Sequence, residues 1–116
     1  MVSRFLLVLS LDLTLADGGS NMSGRVKVMY TGRWGTVCNH NWDINAANVV
    51  CRQLGYRRAE AVRGFSKRSG KIFLDNVRCK GSEPSLSLCR HSGWGAHDCT
   101  QDDDAGVVCT NGNNKM

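Results

Sequence analysis

The chain predicts a small α+β domain stapled by disulfides, on three observations. Six cysteines stand in 116 residues, all after residue 37: Cys38, Cys51, Cys79, Cys89, Cys99 and Cys109. Residues 25–38 alternate with the period of a strand hairpin, and residues 45–54 carry helical spacing with capping residues at both ends. An even cysteine count in so short a chain points to a disulfide framework and an oxidising, extracellular compartment. Disulfides fit better than a metal centre, because no C-x-x-C pair occurs and structural zinc sites usually bring their ligands in two close pairs.

At the start, a positive charge at Arg4 and the apolar run at residues 5–9 have the plan of a secretory signal, with Ala16 small enough to precede a cleavage. Asp12 interrupts that run, and residues 11–16 equally alternate as an edge strand. Both readings stay open. Residues 1–12 are taken as a leader or signal-peptide remnant, 13–110 as a single domain and 111–116 as a polar tail. Residues 17–24 (DGGSNMSG) read as a loop of turn formers, and within them Asn21-Met22-Ser23 is a glycosylation sequon that makes Asn21 a candidate acceptor.

In the hairpin, Val26, Val28 and Tyr30 fall on one face, Arg25 and Lys27 on the other, and Thr31-Gly32 makes the turn into residues 33–38. The helix over residues 45–54 is capped by Asp43 or Asn45 and closed by Gly55, with Val50, Cys51 and Leu54 facing inward. Residues 56–71 read as a basic, loop-rich segment holding Arg57, Arg58, Arg63, Lys67, Arg68 and Lys71 against one acid, Glu60. Residues 72–74 form a strand that 77–79 continue. Ser82-Glu83-Pro84 starts a short helix over 85–89, a long loop covers 90–104, and 105–109 close the domain as a strand.

The net charge of +5 and isoelectric point near 9.1 favour polyanionic partners, among them sulfated glycans, lipopolysaccharide, nucleic acid or acidic proteins, with no specific nucleic acid expected. No run reaches the roughly 18 apolar residues that a membrane-spanning helix needs. Neither a G-x-S-x-G elbow nor an H-E-x-x-H motif occurs, and cysteines held in bridges offer no thiol nucleophile, so no enzyme is expected.

Specific landmarks follow one another in register. They are residues 32–38 (GRWGTVC), Trp42-Asp43, residues 49–56 (VVCRQLGY), residues 74–79 (LDNVRC), Leu88-Cys89, His97-Asp98-Cys99 and residues 104–109 (DAGVVC). Over about residues 13–110 the chain strongly resembles the scavenger receptor cysteine-rich domain family. The resemblance implies a curved antiparallel sheet cradling one main helix, with a short second helix. It implies the pairing Cys38–Cys99, Cys51–Cys109 and Cys79–Cys89, where counting alone leaves fifteen connectivities. It further implies an extracellular recognition module for polyanionic glycans, bacterial surface components or extracellular proteins, or else an interaction or accessory domain of a larger receptor, secreted glycoprotein or secreted enzyme.

Two candidate sites follow. The first is basic: Arg57, Arg58, Arg63, Lys67, Arg68 and Lys71, joined by Arg25, Lys27 and Arg33 on the exposed face of the hairpin. Guanidinium groups engage sulfate, phosphate and carboxylate in bidentate fashion. The second is acidic. Relatives bind calcium or magnesium through paired aspartates after the first cysteine, and this chain has Asn39-His40 there. Asp43, Asp75 and Asp98 would serve one cation site and Asp103 another. With an amide and an imidazole in place of two carboxylates, no cofactor is required, and only weak Ca2+ or Mg2+ binding is expected. His40 with His97 or a carboxylate would suit zinc better. Trp34 and Trp42 are assigned to the core and Trp94 to a partly exposed position.

Overall fold

The computed structural model describes residues 12–66, 70–100 and 103–112. The leader assigned to residues 1–12 therefore lies outside them except for its last residue. Among the described residues, six strands and one helix follow in the order β1 (Leu13–Ser20), β2 (Ser23–Tyr30), β3 (Arg33–Val37), α1 (Ile44–Gln53), β4 (Arg58–Phe65), β5 (Ile72–Leu74) and β6 (Asp104–Thr110). A short 3-10 turn, Leu86–Leu88, stands where the second helix is expected.

The edge-strand reading of residues 11–16 holds from Leu13 onward, and Ala16 pairs with Arg25 inside the sheet. The predicted loop at 17–24 is mostly strand. Its turn is confined to Asn21-Met22, and the glycine and aspartate content appears instead as a bulge between Asp17 and Ser20. Asp17 and Gly19 both have positive φ there. At the hairpin tip Thr31 and Gly32 also have positive φ, as a type I′ turn requires.

Strand β2 organises the sheet. It pairs β1 along residues 24–28, so β1 occupies one whole edge. Its other edge is divided: Lys27 to Tyr30 pair β3, and Ser23 to Arg25 pair β6. Two strands diverging from one edge force the sheet to curve. β4 extends the β6 side and β5 the β3 side. The β3–β5 pair is parallel, so the sheet is mixed rather than antiparallel throughout.

α1 lies in the curve. Asp43 is its N-cap, accepting from the Ala46 amide at 3.0 Å, which settles the choice between Asp43 and Asn45. Gly55, with φ 97°, follows its C-terminal end as expected. The helix buries Ala46, Ala47, Val49, Val50 and Cys51 against Val26, Val37, Leu74 and Val107.

The three bridges pair as the resemblance implies: Cys38–Cys99, Cys51–Cys109 and Cys79–Cys89, closing loops of 61, 58 and 10 residues. Cys51–Cys109 ties α1 to β6. In the chain-entropy account each long bridge contributes about 4 kcal/mol and the short one about 3 kcal/mol.

Candidate functional site

The basic residues are distributed by strand geometry. β4 is extended where a loop is expected, because its backbone pairs with β6 from Arg58–Thr110 to Phe65–Asp104 and the Ala59 amide donates to Asn48 Oδ1 at 2.7 Å. Five residues of strand separate Arg58 from Arg63 by about 17 Å, so the segment is a stripe and not one cluster. Arg57 is exposed at the start of the stripe and Arg58 half-buried. Arg63 is exposed further along. It donates to Ser23 Oγ at 2.9 Å and lies over the Phe65 ring, 4.6 Å from its centroid. Lys71 is exposed beside β3, its carbonyl accepting from the Thr36 amide. Lys67 and Arg68 lie outside the described residues.

The hairpin residues do not share an exposed face. Lys27 is half-buried and pairs with Thr36, while Arg33 pairs with Tyr30 at the hairpin end, on the opposite face of the strand. Arg25 is a correction: it is 2% exposed. Its guanidinium bonds Asp17 at 2.8 Å and Asp104 at 2.6 Å, donates to the Ser66 carbonyl and lies over the Phe65 ring from the side of β2. Burial works against its charge, and the bonds to Asp17 and Asp104 outweigh burial and raise its pKa. Arg25 is a structural ion, held inside by β4, β6 and the segment after Phe65, and presents no charge to a ligand.

The acids separate by role. Asp43 is the helix cap. Asp75, 1% exposed, accepts from the Asn76 amide at 2.8 Å and from the Asp98 amide at 3.4 Å. His40 stands against it: Nδ1 lies 3.1 Å from Asp75 Oδ1 and 3.6 Å from Asp98 Oδ1. The imidazole thus takes the position between the two carboxylates. Asp103 is exposed on the other side, its carbonyl accepting from the Asn39 amide at 3.1 Å. Among the described residues, Asp43, Asp75, Asp98 and Asp103 do not gather into one set of ligand atoms. The groups that do converge include His40 with Asp75, and Glu83, but their sulfur members are bridged cystines rather than thiolates. His97 is engaged locally, its Nδ1 accepting from the Cys99 amide at 3.2 Å.

Trp42 packs against the core and donates to the Gly106 carbonyl. Trp34 does not: it is 41% exposed, because its register partner Met29 lies on the face of β2 away from Val26 and Val28. Trp94 is half-buried, stacked on Tyr30 with ring centroids 4.4 Å apart. Asn21 is exposed in the β1–β2 turn. One feature escaped the reading of the sequence. Arg78 and Arg90 are bridge partners, each amide donating to the other's carbonyl at 2.8 and 3.0 Å. The Cys79–Cys89 pairing carries the signal for it, since it places the flanking residues side by side.

The model of the scavenger receptor cysteine-rich domain matches residues 16–110. Galectin-3-binding protein of Bos taurus is 52% identical over 103 residues, covering 86% of this chain and 19% of that protein. Macrophage receptor MARCO of Mus musculus is 48% identical over 93 residues, covering 80% of this chain and 18% of the receptor. The chain thus spans about a fifth of the length of these relatives. Among solved structures, the dimeric form of the SRCR domain of mouse MARCO superposes with a TM-score of 0.71 at 46% identity, covering 82% of this chain and 92% of that one. The third SRCR domain of murine neurotrypsin follows at 0.70 and 39%, covering 84% and 94%.

Proposed function

Because the chain belongs to the scavenger receptor cysteine-rich domain family, we propose that it is an extracellular recognition module that binds polyanionic ligands through its exposed basic residues. Galectin-3-binding protein and macrophage receptor MARCO are by name a binding protein and a receptor. The observation that carries the proposal is the state of the exposed cations. Among the described residues, Arg33, Arg57, Arg63 and Lys71 are exposed and none makes an ion pair, while the ion pairs present involve only Arg25 and His40. Arg57 and Arg63 lie along the β4 side of the sheet and Arg33 and Lys71 on its β3–β5 side, and charges spread in this way suit a linear polyanion, whose own charges repeat, better than a compact anion. Sulfated glycans and acidic bacterial surface polymers have that chemistry.

Binding requires no calcium in this account, because the His40 imidazole already stands in the space between Asp75 and Asp98. A screen of sulfated, phosphorylated and neutral glycans, run with and without calcium, tests the proposal. Retention of the sulfated and phosphorylated glycans, unchanged by calcium, with the neutral ones passing through, is the expected result. Equal retention of neutral glycans would contradict it.

A further inference from the structure

We propose that Arg78 and Arg90 form a second anion-binding site, separate from the basic stripe, that takes a single tetrahedral oxyanion group such as a sulfate or phosphate ester. The two arginines exchange both backbone hydrogen bonds, which makes them a directly opposed pair with side chains on the same face. One residue inward the Cys79–Cys89 bridge joins the two segments with Cα atoms 4.8 Å apart, and those cysteines are buried while both arginines are exposed. The bridge therefore locks the register that sets the guanidinium stems side by side. Two residues outward on the same face, Asn76 Nδ2 donates to Ser92 Oγ at 3.3 Å, and the Ser92 amide donates to the Asp75 carbonyl. These two rungs, with His91, line a cavity of about 260 Å³.

The chemistry of that lining points one way. Every titratable side chain lining the cavity is an arginine or a histidine, and no carboxylate lines it. Among the described residues neither Arg78 nor Arg90 makes an ion pair. The nearby acids, Asp75 and Asp98, line an adjoining cavity on the other side of Asn76 and Ser92. Like charges directly opposed across a strand pair destabilise it, and this pair is fixed in that arrangement by a covalent cross-link. An anion between the guanidinium groups removes the repulsion and accepts from both forks, with the Asn76 amide and the Ser92 hydroxyl within the same cavity to complete the shell.

The test is a nuclear magnetic resonance titration of the 15N-labelled chain with inorganic sulfate and, separately, inorganic phosphate. Three proteins are compared: wild type, the double variant R78Q/R90Q, and the stripe variant R57Q/R63Q. The Arg78 and Arg90 side-chain signals and the amides of residues 91 and 92 should shift and saturate in wild type and in the stripe variant. The double variant should bind about tenfold or more weakly while its remaining spectrum stays that of the fold. Saturation by either anion upholds the site, and saturation by one alone names the ester class. Shifts spread over all exposed arginines without saturation, or unchanged by R78Q/R90Q, overturn it. Because the stripe variant retains this site, failure of the polyanion reading and failure of this one are separately visible.

Discussion

The buried guanidinium of Arg25 and the imidazole of His40 decide most of the local chemistry. Arg25 sits where period-two alternation puts a solvent-facing residue, yet Phe65 of β4 and Ser66 cover that face and β6 supplies Asp104, itself 1% exposed. Arg25→Met leaves Asp104 buried without its partner and is expected to cost about 3–5 kcal/mol in urea unfolding. Asp17→Asn, whose side chain is 38% exposed, should cost under about 1 kcal/mol. Equal losses for the two variants would mean that Arg25 is not acting as a buried ion. His40 was legible as a departure in charge but not in position, because only the folded chain shows it wedged between Asp75 and Asp98. His40→Asp would set a third hard carboxylate beside those two. Calorimetry should then show calcium binding at least about tenfold tighter than in wild type, and an unchanged affinity would remove His40 as the cause of weak binding.

The elements were readable where local signals and tertiary pairing agree. The helix had its cap and its terminal glycine, and the hairpin had its alternation and its turn. Asp43→Ala should lower stability by about 1 kcal/mol through the lost cap, measured by thermal unfolding. Strand β4 was not readable. Its residues, Arg-Ala-Glu-Ala-Val-Arg-Gly-Phe, have little preference for strand, and the extended form is imposed from outside by β6 and by Asn48. The same error turned a stripe into a cluster. The β1–β2 connection failed for the converse reason, since its turn formers serve a bulge inside the sheet. Close packing across the sheet also has no local signature: a Cβ on Gly35 would lie 2.4 Å from the Phe73 ring. Gly35→Ala is expected to destabilise by about 1–3 kcal/mol, and a neutral effect in the same unfolding measurement would show that Phe73 yields freely.

At the scale of the molecule, cysteine positions carried more information than any periodicity. They identified the compartment and, with the residues around them, the family and its pairing. Two bridges close loops of about half the chain, so reduction should unfold the domain, and near-ultraviolet circular dichroism retained in strong reductant would contradict that. The framework in turn presents an exposed set of cations with no described carboxylate partners, and recognition of polyanions by that set is the central claim. Its most direct measurement is heparin affinity as a function of salt, for wild type and for the variant with Arg33, Arg57, Arg63 and Lys71 all changed to Gln. Raising sodium chloride from about 0.1 M to about 1 M shortens the screening length from roughly 10 Å to roughly 3 Å. Wild-type affinity should fall more than about tenfold across that range, and the variant should bind weakly throughout with a much shallower dependence. Equal affinity and equal salt dependence in the two proteins would contradict the account.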